Sequence, residues 1–222
     1  MRKLFTTIFF IGAISLTAVS QKISFGIQAG LSLANMYETY LDASKHGDNK
    51  IGAIVGLTGN VHIGNNFDFR PELNFVQKGF QHNTSDPGYA LTDEMTLNYI
   101  EIPFNFLFYR RISKLQIFAG AGPSIAFAIS GKGKAGINEN VVNYSLHFGN
   151  NVDEDDLRRF DFGGNFFAGI ELKSGLFAGI NYNLGINTLI PGDNKNGTLK
   201  NNYVGFRLGY MFSSISNIFH KH

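Results

Sequence analysis

Arg70 and Glu72 stand two residues apart in the run from Phe67 to Phe80, and a further acid, Glu101, follows in the next apolar run. In extended chain, residues i and i+2 share a face about 7 Å apart. A guanidinium beside a carboxylate, with a second carboxylate from a neighbouring strand, fits either of two chemistries: acid–base work on a glycosidic bond or a buried ion-pair network. Lys78, Glu171 and Arg207 are spaced to join the same set. Three histidines have the company of a hydrolase: His46 near Ser44 and Asp48, His82 near Ser85 and Asp86, and His147 near Ser145. Asp153-Glu154-Asp155-Asp156 offers the clustered carboxylates that a hard cation favours, without the glycine and spacing of a defined calcium loop.

Which of these chemistries is open depends on the elements that hold the residues. Apolar residues recur with a period of two in eight stretches, at about 22–36, 50–63, 67–80, 95–109, 115–130, 158–173, 175–188 and 201–213. In the second stretch Ile51, Ala53, Val55, Leu57, Val61 and Ile63 alternate with Gly52, Gly56, Thr58, Asn60 and His62. That period belongs to half-buried strand and not to helix. The third sets Phe67, Phe69, Leu73 and Phe75 against Asp68, Arg70, Glu72, Asn74 and Lys78; the fourth sets Ile100, Ile102, Phe104, Phe106 and Phe108 against Tyr99, Glu101, Pro103, Asn105 and Tyr109. Links at 64–66, 110–114 and 174–175 are short, and those at 37–49, 81–94, 131–157 and 189–200 are long and polar.

Volume decides which face is inside. An eight-stranded barrel has room only for modest side chains, and five or six large apolar residues from every strand would overfill it. The large residues therefore face outward, where a soluble protein would carry Lys and Glu. The composition agrees, with 16% charged residues, 26 Gly, 22 Phe and no Cys or Trp in 222 residues. The fold class is all-β: an eight-stranded antiparallel up-and-down transmembrane β-barrel, of the small OmpA/OmpX-like kind. Its narrow lumen admits no sugar chain, so Arg70, Glu72, Glu101 and Arg207, with Lys78 and Glu171, are expected to form a structural polar network and not a catalytic pair. Phe67, Phe69, Phe108, Tyr109, Phe160 and Phe162, near strand ends, are expected in the aromatic girdles at the two lipid interfaces.

Arg2 and Lys3, the apolar run Leu4 to Leu16 and Ala18-Val19-Ser20 read as a signal peptide over residues 1–20. The barrel domain is expected over 21–213 and a short periplasmic tail over 214–222. Short periplasmic turns and long outer loops place both termini in the periplasm and the protein in the cell outer membrane. A net charge of +2 with scattered Lys and Arg excludes a nucleic-acid footprint.

Several stretches resemble the PorT-type outer membrane β-barrel proteins of the Bacteroidetes: Arg70-Pro71-Glu72-Leu73 with Gln77-Lys78-Gly79, Leu97 to Pro103, Gly120-Ala121-Gly122-Pro123, Asp161-Phe162-Gly163 and Gly209-Tyr210-Met211-Phe212. The resemblance spans the mature chain. It implies an eight-stranded barrel in a Gram-negative host, and an association with type IX-like protein secretion for the namesake branch. One departure is the extension from Ser213 to His222 beyond the final aromatic, which resembles the signal read by the barrel-insertion machinery. The expectation is a barrel without catalytic activity and without cofactor or metal, acting through its extracellular loops or as an accessory in secretion. Its expected partners are outer membrane lipid and lipopolysaccharide, the insertion machinery and secretion-system components. The alternatives are a small-solute channel and an outer-leaflet lipid-modifying enzyme.

Overall fold

A computed structural model describes residues 23–40, 43–46, 48–86, 89–113, 115–138, 140–192 and 197–212. The expected signal peptide (1–20) and tail (214–222) lie outside the described residues. Ten strands follow one another among the described residues: β1 (Ile23–Tyr40), β2 (Ala43–His46), β3 (Lys50–His62), β4 (Phe67–Asp86), β5 (Tyr89–Ile112), β6 (Leu115–Ile137), β7 (Asn140–Ser145), β8 (Phe160–Leu172), β9 (Leu176–Gly185) and β10 (Gly197–Met211). Eight of them pair antiparallel in the order β10-β9-β8-β6-β5-β4-β3-β1, and β1 closes the ring on β10 from Gly26↔Met211 to Tyr40↔Gly197. Closure removes the free edges that an open sheet would expose to lipid.

Burial is inverted relative to a soluble domain. Leu31, Val55, Leu57, Phe106 and Leu208 are all more than half exposed, whereas Arg70, Glu72, Glu101 and Arg207 are 0–3% exposed. Side chains on successive residues point to opposite faces, so one strand serves both solvents at once. The three short links are tight turns. Gly175 takes φ 93° in the β8–β9 turn and Ser113 takes φ 58° between β5 and β6. Arg110 and Arg111, expected in that second turn, are instead paired within β5, against Ile117 and Gln116, and Ile112↔Leu115 is the last pair.

The long links differ most from expectation. Residues 81–86 and 89–94 are strand: the β4–β5 ladder runs without a break from Gly79↔Thr96 to Asp86↔Tyr89. β5 stays paired with β6 out to Leu91↔Ile137, and β7 adds a further strand from Ile137↔Asn140 to Lys132↔Ser145. β2 likewise folds back on β1 from Tyr40↔Ala43 to Tyr37↔His46. The barrel thus rises into arms beyond its apolar band. Strands outside lipid need no apolar face, so the alternation that reveals the others is missing from them. A register shift at Asn98/Tyr99 pairs Asn98 with Ser130 but Tyr99 with Ala128, leaving Ile129 as the extra residue. This bulge reverses which residues of β6 face inward, so that Gly131 and Gly133 are buried and Lys132 and Lys134 face out.

Candidate functional site

The lumen is filled in storeys, and β4 carries a charged residue into each. Nearest the turns, Arg70 donates through Nε to Asn60 Oδ1 (2.6 Å) and through Nη2 to Tyr109 Oη (2.6 Å) and Glu171 Oε2 (3.1 Å). Its guanidinium lies 5.0 Å from the Phe118 ring and 5.2 Å from that of Phe177, the desolvated setting in which cation–π attraction is strongest. Asp68 accepts from Asn60 at 2.9 Å and pairs with His62. In the middle storey Arg207 of β10 reaches Glu72 of β4, and Gln28 and Asn74 both donate to the same carboxylate at 2.9 Å. Toward the arms, Lys78 binds Glu101 (2.8 Å) and Asp161 (3.0 Å) while Tyr203 donates to Glu101 at 2.6 Å. The six residues expected in one network therefore fall into three groups: Arg70 with Glu171, Arg207 with Glu72, and Lys78 with Glu101. Arg70 and Glu72 share a face as expected, yet each finds its partner across the lumen.

A circuit of amides joins strands in the middle storey. Arg207 Nε donates to Asn181 (2.9 Å), Asn181 to Asn165 (2.9 Å), Asn165 to Asn105 (2.8 Å) and Asn105 to Glu72 Oε1 (3.2 Å), where Arg207 returns to the other carboxylate oxygen. Every donor in the loop points toward the anion. A buried carboxylate is costly unless several donors surround it, and this one has four. Gln28 also holds Asn74 at 2.8 Å, which fixes the amide beside it.

The expectation that the interior has room only for modest side chains is corrected by the rings of Tyr99, Tyr109, Phe118, Phe167, Phe177 and Tyr203, all buried inside. Glycines on neighbouring strands make the space. A Cβ on Gly179 would stand 2.5 Å from the Phe167 ring, one on Gly169 2.6 Å from Phe118, and one on Gly209 would run into Phe177. Tyr109 is accordingly a lumen residue bonded to Arg70 and does not belong to the aromatic girdle. Phe67, Phe108, Phe160 and Phe162 do face outward and Phe69 packs against Phe106 beside them.

At the arm end the lumen is closed by an apolar cap. Leu146, Leu157 and Leu189 fold in from the links onto Met36, Leu97 and Tyr99, with Phe148 and Leu199 packed alongside. The acidic run stitches this link together: Asp155 accepts from the Asn151 amide (2.9 Å) and Asp156 from the His147 amide (2.8 Å). His82 lies 3.4 Å from Asp48 and His147 3.5 Å from Asp156; the side chains of His46 and Ser85 lie outside the described residues. No cluster of three metal-ligating side chains occurs among the described residues.

A closed ring of eight lipid-facing strands with a polar interior agrees with the family model that the sequence matches over residues 19–191, whose description is outer membrane protein beta-barrel domain. The chain belongs to this family. No curated protein matches it. Among solved structures, this outer membrane barrel is similar to Neisserial surface protein A, at 12% identity and TM-score 0.43, over 85% of this chain and 97% of that one. It is also similar to Ail, the attachment invasion locus protein of Yersinia pestis, at 13% identity and TM-score 0.39, over 86% and 99%. The N-terminal β-barrel domain of Pseudomonas aeruginosa OprF matches at 10% identity and TM-score 0.29, over 84% and 99%. Likeness at this level says nothing of activity or ligands.

Within this barrel, residues absent from the sequence expectation do much of the connecting. Asp161 completes the Lys78 site, Asn60 and Tyr109 hold Arg70, and Asn201 spans the lumen to Tyr99 Oη and Asp161 Oδ2 at 3.2 Å each. Asp161 sits on the inner face by parity alone, so alternation was signal enough to include it. The asparagine circuit carried no such signal, because which amide meets which depends on register across five strands.

Proposed function

We propose that the protein is a non-catalytic integral barrel of the outer membrane, of the PorT-type branch in a Bacteroidetes host, that works through the arms on its loop side. The observation that carries this reading is the filled lumen: among the described residues, three cross-lumen ionic storeys and an apolar cap occupy the interior of the ring. Arg70, Glu72, Lys78, Glu101, Glu171 and Arg207 act as the barrel's structural core, since each carboxylate is held by a cation inside the ring. What remains for recognition is the surface of the arms. Both termini lie in the periplasm, the insertion machinery delivers the barrel, and its working partners are outer-leaflet lipid and components of a type IX-like secretion system. Crosslinking through the arms in native outer membranes, followed by purification of the barrel, tests the reading. Secretion components in the eluate support the accessory role; conversion of lipid A by cells overproducing the protein would replace it with an outer-leaflet enzyme.

A further inference from the structure

The outward surface of the barrel changes character along a sharp line at the base of the arm. On β4, β5 and β6 the last apolar outward residues are Phe75, Ile100 and Ile129; the next outward positions are Gln77, Asn98 and Ser130. These three are bonded into a ladder, Gln77 Nε2 to Asn98 Oδ1 at 3.1 Å and Asn98 Nδ2 to Ser130 Oγ at 2.9 Å. Such a ladder satisfies polar side chains at the level where hydrocarbon gives way to headgroups.

Directly above it stand cations. Lys132 pairs in register with Thr96 and Ser145, and Lys134 with Glu94 and Asn143, on the same outward face as the ladder. Gln77, Thr96, Asn98, Lys132, Lys134 and Ser145 line a groove of about 480 Å³. Lys132 lies two residues beyond Ser130, about 7 Å along the strand. Glu94, the carboxylate in the groove, is already taken by Lys50, with Lys134 3.6 Å away. A third cation, Arg159, is fixed at the same border: Nε and Nη2 bond the Phe148 carbonyl at 3.2 and 2.7 Å, and the guanidinium sits 5.5 Å from the lipid-facing Phe127 ring. The Arg159 carbonyl accepts from the Ala128 amide, which sets this residue beside the same stretch of β6 that carries Lys132. Phe127, Ile129 and Phe160 below are 37–50% exposed and supply a surface for acyl chains.

We infer that Lys132, Lys134 and Arg159 form a binding site for the phosphorylated headgroup of an outer-leaflet glycolipid, whose acyl chains run down over Phe127, Ile129 and Phe160. Lysines offer point charges and arginine a planar fork to phosphate oxygens; hydroxyl and amide side chains in the groove suit the sugar. The inference rests on the proposal that the arms lie on the outer side, and it names the site through which they engage lipid.

The test uses the full mature barrel in phosphatidylcholine nanodiscs, where both faces are accessible and orientation in the cell plays no part. The probes are diphosphorylated lipid A and its phosphate-free counterpart, with retained lipid counted by native mass spectrometry. The parent protein should retain the diphosphorylated form preferentially, and the K132Q/K134Q/R159Q variant should lose that preference, by about fivefold per cation removed. R110Q/R111Q, at the turn end, should behave as the parent. Equal retention of the two lipids by the parent, or an unchanged preference in the triple variant, would overturn the site. Labelling of a V142C variant in whole cells with a membrane-impermeant thiol reagent reports separately on whether the arms face outward.

Discussion

Arg207 and Glu72 meet across the lumen from strands that are not neighbours, β10 and β4, and the guanidinium closes a hydrogen-bonded circuit that begins and ends on it. Loss of one partner of a buried pair leaves the other charge unmet, at a cost of about 3–5 kcal/mol. Arg207→Met should therefore unfold from phosphatidylcholine vesicles at markedly lower urea than the parent, and Glu72→Met with Arg207→Met should recover most of the difference. A folded Arg207→Met barrel as resistant as the parent would show that the pair contributes nothing.

The fit of rings against glycines gives a second expectation. Gly179→Ala puts a methyl 2.5 Å from the Phe167 ring and should destabilise by about 1–3 kcal/mol through overpacking. Gly164→Ala, whose Cβ meets nothing within 4 Å, should not. Phe167→Leu in the Gly179→Ala background should restore part of the loss. Heat-modifiability on gels reads all three.

The cap separates from the barrel in the same assay. Leu189 is fully buried against Leu157 and Met36, and truncation to Ala removes packing worth about 2–5 kcal/mol. That cost falls on the links and not on the ladder. Leu189→Ala should become cleavable between 146 and 192 under limited proteolysis while the heat resistance of the barrel stays as it was.

Glu94, on the arm, responds to pH. Its bond to Lys50 holds the carboxyl below the ordinary value of 4.5 despite partial burial. A depressed carboxyl contributes stability that is full above the unfolded value and is lost as pH falls through the folded one. The arm should therefore loosen only below about pH 4.5, seen as lost amide-exchange protection over 89–98, and Lys50→Met should weaken that pH dependence to the share that Lys134 supplies.

Much of this architecture was legible in the sequence, because a strand with lipid on one side and a packed polar core on the other must alternate at every residue. That requirement placed Leu57 outside, Thr58 inside and Glu101 within reach of a cation. It failed where lipid ends: 81–86, 89–94 and 140–145 are strands with two wet faces, so neither face selects apolar residues. It failed again at Ile129, where one inserted residue turns Lys132 outward. The ionic partners were beyond reach for a different reason. Arg70 lies two residues from Glu72 yet bonds Glu171, and that choice depends on closure of the ring.

Closure and filling of the lumen are the central claim, and ion conductance across planar bilayers tests them most directly. Purified barrel should give no stable steps in concentrated salt, whereas reproducible conductance from the parent protein would contradict a lumen sealed by Arg70, Arg207, Lys78 and the leucine cap. Arg207→Ala with Tyr203→Ala, which removes two of the cross-lumen bonds, is the control expected to leak first.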